Sequence, residues 1–151
     1  MPRLRTFVVC FLLAIAFCPG PAGAEGALAV GLPANVAKDG VSIGFAINSE
    51  TADAARAGAL KGCRIPPKTT VSGTVPTTKS GRLCTVVSTF HDQCYAYAFD
   101  PQDGTPGFGW AVADDQRGAE KQALANCEKT AGPKRRAACV IVKTGCDGKA
   151  K

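Results

Sequence analysis

The sequence predicts an α+β domain that is built from a duplicated strand-strand-helix-strand unit, with antiparallel sheets and two amphipathic helices. Three observations predict this fold class. Two stretches of the chain are similar to each other, large and small residues alternate in the predicted strands, and the number of cysteines after residue 24 is even. Together they indicate that disulfide bonds, and not a metal or a cofactor, stabilise the domain.

The first 24 residues have the layout of a cleavable signal peptide. Two arginines precede an apolar run at 7–17, and small residues follow it. The run is too short to cross roughly 30 Å of hydrocarbon as a helix. We therefore expect cleavage near Ala24/Glu25, a secreted or periplasmic protein, and a single mature domain over residues 25–151 without a membrane span.

The predicted mature part is mildly basic. Of the 18 Lys and Arg residues two fall in the predicted signal, so 16 remain against 12 Asp and Glu, a net charge of +4. An excess of this size is compatible with an anionic partner, but it is also common in soluble domains without one. We expect the partner to be a protein or an anionic component of the cell envelope, and not a nucleic acid.

The duplication is clearest in two stretches, "GFAINSETADAARAGALKGC" at 44–63 and "GWAVADDQRGAEKQALANC" at 109–127. Aligned at their ends, they superpose Cys63 on Cys127. A strand-like segment precedes each stretch and another follows it, so repeat one covers about 26–90 and repeat two about 94–146. Neither copy is large enough to bury its own apolar face.

The strands are predicted from alternation. Bulky side chains at Ile43, Phe45 and Ile47 point to one side of an extended chain, while Gly44 and Ala46 point to the other. The same split recurs in the second repeat. Each sheet should therefore have one bulky face and one nearly bare face.

The helices are predicted from small residues that recur three and four positions apart in both repeats. Ser49 or Thr51 can cap the first helix, and Asp114 or Asp115 the second. Alanine-rich faces suit a close approach to a sheet. The pattern leaves open whether the helices pack on the bare side of the strands or in a mixed layer, and whether the halves share one sheet.

Six cysteines follow the predicted signal, and export favours disulfides between them. A zinc site is disfavoured because the chain has one histidine and no C-x-x-C pair. In each repeat one cysteine ends the helix and another begins the next strand, and a hairpin centred near Asp92 would set Cys94 opposite Phe90 and away from Cys84. The favoured pairs are Cys63–Cys84, Cys127–Cys139 and Cys94–Cys146.

A stretch at 64–83 is rich in Pro, Thr, Ser and Gly, which predicts a long surface loop. Its counterpart after the second helix, "EKTAGPKRRAA", is shorter and more basic. Loops on a rigid scaffold often carry binding residues. We expect any binding role to involve these loops.

Residues 26–146 resemble a family of small exported bacterial proteins called domain of unknown function 4189. The resemblance rests on the G-[FW]-A-[IV] strand, the A-x-x-x-A-L-x-x-C helix and the C-x-V-V strand, and on the repeated use of all three. It implies a secreted or periplasmic α+β domain with internal duplication and disulfides. It implies no catalytic residue, because the family has no common activity, and the sequence departs from it at 64–83.

His91 and Asp92 are the candidate catalytic residues. An imidazole beside a carboxylate is typical of acid and base chemistry, but adjacent residues on an extended chain point apart. A polar hairpin turn explains both residues without chemistry. Similarly, Asp100, Asp103 and Gly104 offer oxygen ligands for calcium but lack the D-x-D-x-D-G spacing, so a turn between two strands explains them too.

Two groups of residues are candidates for binding. Lys134, Arg135 and Arg136, with Lys129 nearby, are the densest basic cluster, which suits an anion or simply a solvated loop after a helix. The aromatic candidates are Tyr95, Tyr97, Phe99, Phe108 and Trp110, which form either a core or an exposed docking patch.

The sequence favours a non-enzymatic, exported, disulfide-stabilised binding module of unknown specific function that binds a protein or acts as an inhibitor. No nucleophile, base and oxyanion stabiliser occur together in a recognisable pattern. The alternatives are a small secreted hydrolase that uses His91 and an envelope structural protein without a specific ligand. No cofactor and no metal are expected.

Overall fold

The computed structural model describes residues 25–65 and 78–151, and the chain there follows the duplicated pattern. The first half consists of β1 (Glu25–Gly31), α1 (Val36–Asp39), β2 (Ser42–Ser49), α2 (Ala52–Arg64), α3 (Thr78–Arg82) and β3 (Thr85–Phe90). The second half consists of β4 (Cys94–Phe99), β5 (Phe108–Ala113), α4 (Gln116–Ala131), a short 3-10 helix (Arg136–Ala138) and β6 (Val140–Cys146). The predicted signal at 1–24 and most of the predicted loop, at 66–77, lie outside the described residues.

Each half forms its own antiparallel sheet, with its first strand in the centre. The strand order is β2-β1-β3 in the first sheet and β5-β4-β6 in the second. The identical order confirms the predicted duplication and the predicted α+β class, and it shows that the halves do not share one sheet.

The predicted hairpin near Asp92 is wrong. β3 pairs with β1 and β4 pairs with β5 and β6, so the chain passes from one sheet to the other at 91–93. The alternation on either side of Asp92 fits a hairpin equally well. β3 and β4 each form hydrogen bonds with strands of their own half instead, and the local pattern does not reveal these partners.

The bulky faces of the two sheets pack against each other and form the main core. Leu28, Val30 and Phe90 of the first half join Tyr95 and Tyr97 of the second in one buried cluster. The ring of Phe45 stacks on that of Tyr95, with centroids 4.8 Å apart. Burial of these side chains between the sheets removes the exposed apolar face that each half would have alone.

The helices pack on the bare faces, which settles the choice that the sequence left open. Two small-residue clusters form, one between α2 and the first sheet and one between α4 and the second. A Cβ atom at Gly44 would lie 2.2 Å from the carbonyl oxygen of Ala59, and one at Gly109 would lie 2.3 Å from that of Ala123. Glycine at both sites therefore permits the close approach of helix and strand.

Three disulfides occur in the described part of the chain. Cys63–Cys84 and Cys127–Cys139 tie the end of each long helix to the strand that follows it, and Cys94–Cys146 joins β4 and β6. These are the pairs that the sequence favours, the first two from the pseudo-symmetry and the third from the cysteines that remain. Thr51 and Asp115 are the residues that cap the two long helices, through hydrogen bonds of 3.1 Å to the Ala54 N–H and 2.7 Å to the Gly118 N–H.

The end of the predicted loop at 64–83 is helical, which corrects that prediction. Lys79 forms an ion pair of 2.7 Å with Asp39, and the Ser80 hydroxyl donates to the Asp39 carbonyl at 3.2 Å. These contacts dock α3 against the turn between α1 and β2. Distant partners, which the composition of the loop does not show, thus fix its last residues.

In the described residues no helix has the length and hydropathy that a membrane span requires.

Candidate functional site

An open groove lies along the free edge of β5, on the side of the sandwich where β5 faces the first sheet. Its volume is about 770 Å³. Residues of three regions line it: β5 from Phe108 to Val112, the first-half residues Leu32, Val87 and Ser88, and the α4 residues Gln122, Asn126, Lys129 and Thr130. We call this region the β5 groove.

The opposite side of the sandwich is closed by hydrogen bonds between the sheets. The Asn48 N–H donates to Asp147 Oδ1 at 2.6 Å, and the Gly148 N–H donates to Asn48 Oδ1 at 3.1 Å. The ammonium of Lys143 lies 5.7 Å from the centre of the Phe45 ring. Although the two halves share a topology, their contacts with each other therefore differ on the two sides.

The first-half wall of the β5 groove is apolar. Leu32 is 56% exposed and Val87 is 38% exposed, so both present large aliphatic side chains to solvent. Trp110, the single tryptophan of the chain, lines the groove beside them and is half-buried. Leu32, Val87 and Trp110 thus form a small apolar wall that is open to solvent on one side of the groove.

The direction of the β5 main-chain groups follows from its pairing with β4. The Asp100 N–H donates to the Gly107 carbonyl at 3.0 Å, and Phe99 lies opposite Phe108. Hydrogen-bonded and non-hydrogen-bonded pairs alternate along an antiparallel ladder. The main-chain groups of Phe108, Trp110 and Val112 therefore point away from β4, along the free edge.

Side chains of α4 cover one end of this edge. The Thr130 hydroxyl accepts a hydrogen bond from the Phe108 N–H at 2.9 Å and lies 2.7 Å from the Phe108 carbonyl oxygen. The Asn126 amide donates to the Trp110 carbonyl at 2.9 Å. Three main-chain groups of β5 are left on this edge: the N–H of Trp110, and the N–H and carbonyl of Val112. Within residues 25–65 and 78–151, none of the three forms a hydrogen bond with a side chain or with the backbone of another segment. These three groups form an open section of sheet edge.

Lys129 gives the β5 groove its charge. It is the one charged side chain among the described lining residues, and it makes none of the ion pairs found in the described part of the chain. The groove thus combines an apolar wall, an open strand edge and one cation.

The predicted basic cluster is divided by the structure. Arg135 donates to both carboxylate oxygens of Asp100, at 2.8 and 2.5 Å, whereas Lys134 and Arg136 are exposed. The hydrogen bond from Arg135 holds the pKa of Asp100 below its ordinary value. Arg135 is therefore part of the fold and is not a free anion-binding residue.

The ion pair between Arg135 and Asp100 argues against a calcium site in the turn after β4. The side chain of Asp100 is fully buried, and its oxygens bind Arg135 and the Gln102 N–H. Asp103 and Gly104 lie exposed in the turn between β4 and β5. No group of three or more His, Cys, Asp or Glu side chains in the described ranges is placed to hold a metal ion. The turn explains these residues.

His91 lies between two carboxylates, outside the lining of the β5 groove. Its Nε2 atom is 3.4 Å from Asp92 Oδ2, and its Nδ1 atom is 3.9 Å from Glu25 Oε1. The expectation that His91 and Asp92 point apart is wrong, because Asp92 has a φ of 50° and turns its side chain back. Its other oxygen accepts from the Lys149 N–H at 2.7 Å.

Of the five aromatic binding candidates, Phe108 and Trp110 line the groove, and of these two only Trp110 is partly exposed. Tyr95 is 1% exposed and Tyr97 is 8% exposed, so both belong to the core, and burial raises the pKa of both hydroxyls. Neither can offer its ring to a partner. Their alternation on β4 places them on the same face as the rest of the core.

Sequence reasoning missed most of the groove. Leu32 follows a predicted strand and Val87 lies within another, so nothing local marks them as neighbours of Trp110. Asn126 and Thr130 are four residues apart on one face of α4, and this spacing is the one signal that places them together. The groove depends on the packing of the two halves.

A family model described as Domain of unknown function (DUF4189) matches residues 26–146, most of the chain. Searches of curated proteins and of solved structures found no significant match.

Proposed function

Since this chain belongs to the DUF4189 family, whose description assigns no activity, we propose a function from its surface: it is an exported binding module that holds a partner protein in the β5 groove. The observation that carries the proposal is the groove itself, where exposed apolar side chains adjoin an open strand edge. An inhibitor-like role, in which the module occupies a secreted partner, is the sharpest form of this function.

The frame around the groove supports binding without large rearrangement. Cys127–Cys139 anchors the end of α4, which carries Asn126, Lys129 and Thr130. A wall that is already ordered loses less conformational freedom when a partner binds. The disulfides also support export, because such bonds persist mainly in oxidising compartments.

A hydrolase centred on His91 has less support. Both ring nitrogens already face carboxylates, and every cysteine in the described residues is in a disulfide. His91 therefore has no thiol to activate, and it lies away from the groove. A structural protein without a ligand leaves the exposed apolar wall unexplained.

Site-specific photocrosslinking in the native compartment tests the proposal. A photoreactive residue at Val87, inside the groove, should form protein adducts, whereas one at Ala57, exposed on α2, should not. The captured protein is then purified, and its binding should weaken at least tenfold with Val87→Glu and remain unchanged with Ala57→Glu. Equal adducts at both positions, or none at Val87, would contradict the proposal.

His91→Ala separates the module from the enzyme. We expect partner binding and the unfolding midpoint to remain close to those of the wild type. If a hydrolytic turnover were found in the wild type and lost in this folded variant, the hydrolase would be the better interpretation.

A further inference from the structure

We propose that the β5 groove binds by β-strand addition, and that its occupant is an extended segment of a partner protein in which apolar and acidic residues alternate. This inference rests on the proposed function and names the chemistry of the same site. Three features carry it: the open main-chain groups of β5, the different chemistry of the two groove walls, and the charge of Lys129.

The main-chain groups define an extended occupant. The Trp110 N–H needs an acceptor, and the Val112 N–H and C=O need one acceptor and one donor. A neighbouring strand presents donors and acceptors at this spacing, which is how sheet edges capture peptides. The strand adds to the second sheet on its free side and continues the order β5-β4-β6.

The α4 side chains set where the pairing stops. Thr130 already occupies the Phe108 main-chain groups, and Asn126 occupies the Trp110 carbonyl. An added strand that extended past Trp110 toward Phe108 would have to displace both. We infer that main-chain pairing is confined to Trp110 and Val112, and that the part of the occupant that extends past Trp110 lies beside Lys129 without joining the ladder.

The two walls of the groove require an alternating occupant. On β5, Phe108, Trp110 and Val112 face the core between the sheets, whereas Ala111 and Ala113 face α4. Successive side chains of an added strand point to the same two sides in turn. One set therefore meets the aliphatic wall of Leu32 and Val87, and the other meets the α4 wall that carries Lys129.

The charge of the groove selects acidic residues for the second set. Lys129 lines the groove without an ion pair in the described residues, and an opposing carboxylate would complete it. A second copy of this chain fits less well, because its own β5, FGWAVA, supplies no acidic side chain if two β5 edges pair. The occupant is thus a segment of another protein.

A peptide titration tests the inference, with the fluorescence of Trp110 as the signal. Trp110 is the single tryptophan of the chain, so the emission reports on the groove alone. The probe is an eight-residue peptide in which valine and glutamate alternate. We expect saturable binding with a blue shift of the emission. A peptide N-methylated at alternate residues, on the edge that faces β5, should bind at least tenfold more weakly, as should one with lysine in place of glutamate.

A charge reversal gives the matched control. Lys129→Glu should reverse the preference between the glutamate and lysine peptides by at least tenfold. Lys121→Glu changes the same charge on the same helix outside the groove lining, so it should leave the preference unchanged. Equal binding of the N-methylated peptide, equal effects of the two variants, or no saturable binding would overturn strand addition.

The experiments distinguish failure of strand addition from failure of the proposed function. If Val87 captures a partner protein while the alternating peptide fails, the groove binds proteins in another way and only the present inference is wrong. If neither experiment detects binding at the groove, both the function and its mode are wrong.

Discussion

Replacement of Gly44 by alanine should be among the most damaging small changes in the protein. A Cβ atom there would lie 2.2 Å from both Ala59 O and Cys63 N, about 1.2 Å inside the 3.4 Å at which ordinary contact begins. The helix cannot withdraw alone, because Cys63 is bonded to Cys84 at the start of β3. Overpacking against backbone typically costs about 1 to 3 kcal/mol, and this constrained site belongs at the upper end.

Gly62→Ala is the matched control, because Gly62 faces the same contact from the helix side. Its Cβ would lie 3.5 Å from the Cα of Gly44, an ordinary contact distance. Alanine is favoured over glycine inside a helix by up to about 1 kcal/mol. We therefore expect this variant to be as stable as the wild type or slightly more stable.

Urea and thermal unfolding of the oxidised protein, followed by far-UV circular dichroism, measure both variants. For a domain of this size 1 kcal/mol corresponds to roughly 3 to 4 °C, so Gly44→Ala should lower Tm by about 10 °C. Mass analysis should find the three disulfides of the described residues intact in both variants. A loss below about 0.5 kcal/mol in Gly44→Ala, or equal losses in the two variants, would refute the close packing of α2 on β2.

Two further predictions concern charge and covalent cross-links. The hydrogen bond with Arg135 lowers the pKa of Asp100 in the folded protein. The bond therefore stabilises the fold above the ordinary pKa near 3.8, and this stabilisation is lost as the pH falls through the lower pKa of the folded state. Arg135→Met should reduce the free energy of unfolding at neutral pH and flatten its decline in acid, and an unchanged decline in pH-dependent unfolding would contradict this. Removal of the Cys94–Cys146 bridge, whose ends are 52 residues apart, should cost about 4 kcal/mol of stability. Removal of Cys127–Cys139, with a separation of 12, should cost about 3 kcal/mol, because a shorter loop restricts the unfolded chain less. Denaturant unfolding of paired Cys→Ala variants should give this order, and the reverse order would contradict it.

Local pattern was sufficient wherever one element decided the outcome. The alternation around Phe45 and Trp110 predicts strands with one bulky face, and the spacing of alanines predicts the two long helices. Pseudo-symmetry placed each helix-ending cysteine beside the cysteine that begins the next strand. In each case the residues that form the pattern also form the contact, so the sequence carries the information directly.

Local pattern failed where two distant segments had to meet. The residues on either side of Asp92 are consistent with a hairpin, yet they enter different sheets. The basic cluster after α4 was predicted as a unit, yet Arg135 is bound by Asp100, 35 residues earlier. A periodic pattern reports which side of an element is apolar, but it does not report which surface will cover that side.

The amino-acid sequence by itself determined the duplicated α+β unit, the three strands and the long helix of each half, and the cysteine pattern, because these depend on residue spacing within one repeat. Tertiary structure alone decided that the bulky faces of two separate sheets meet, and that one side of the sandwich is closed by Asn48 and Asp147 while the other opens as the β5 groove. The groove arises from the mismatch between the two halves at their shared boundary. Such a mismatch exists only after both halves have folded and packed.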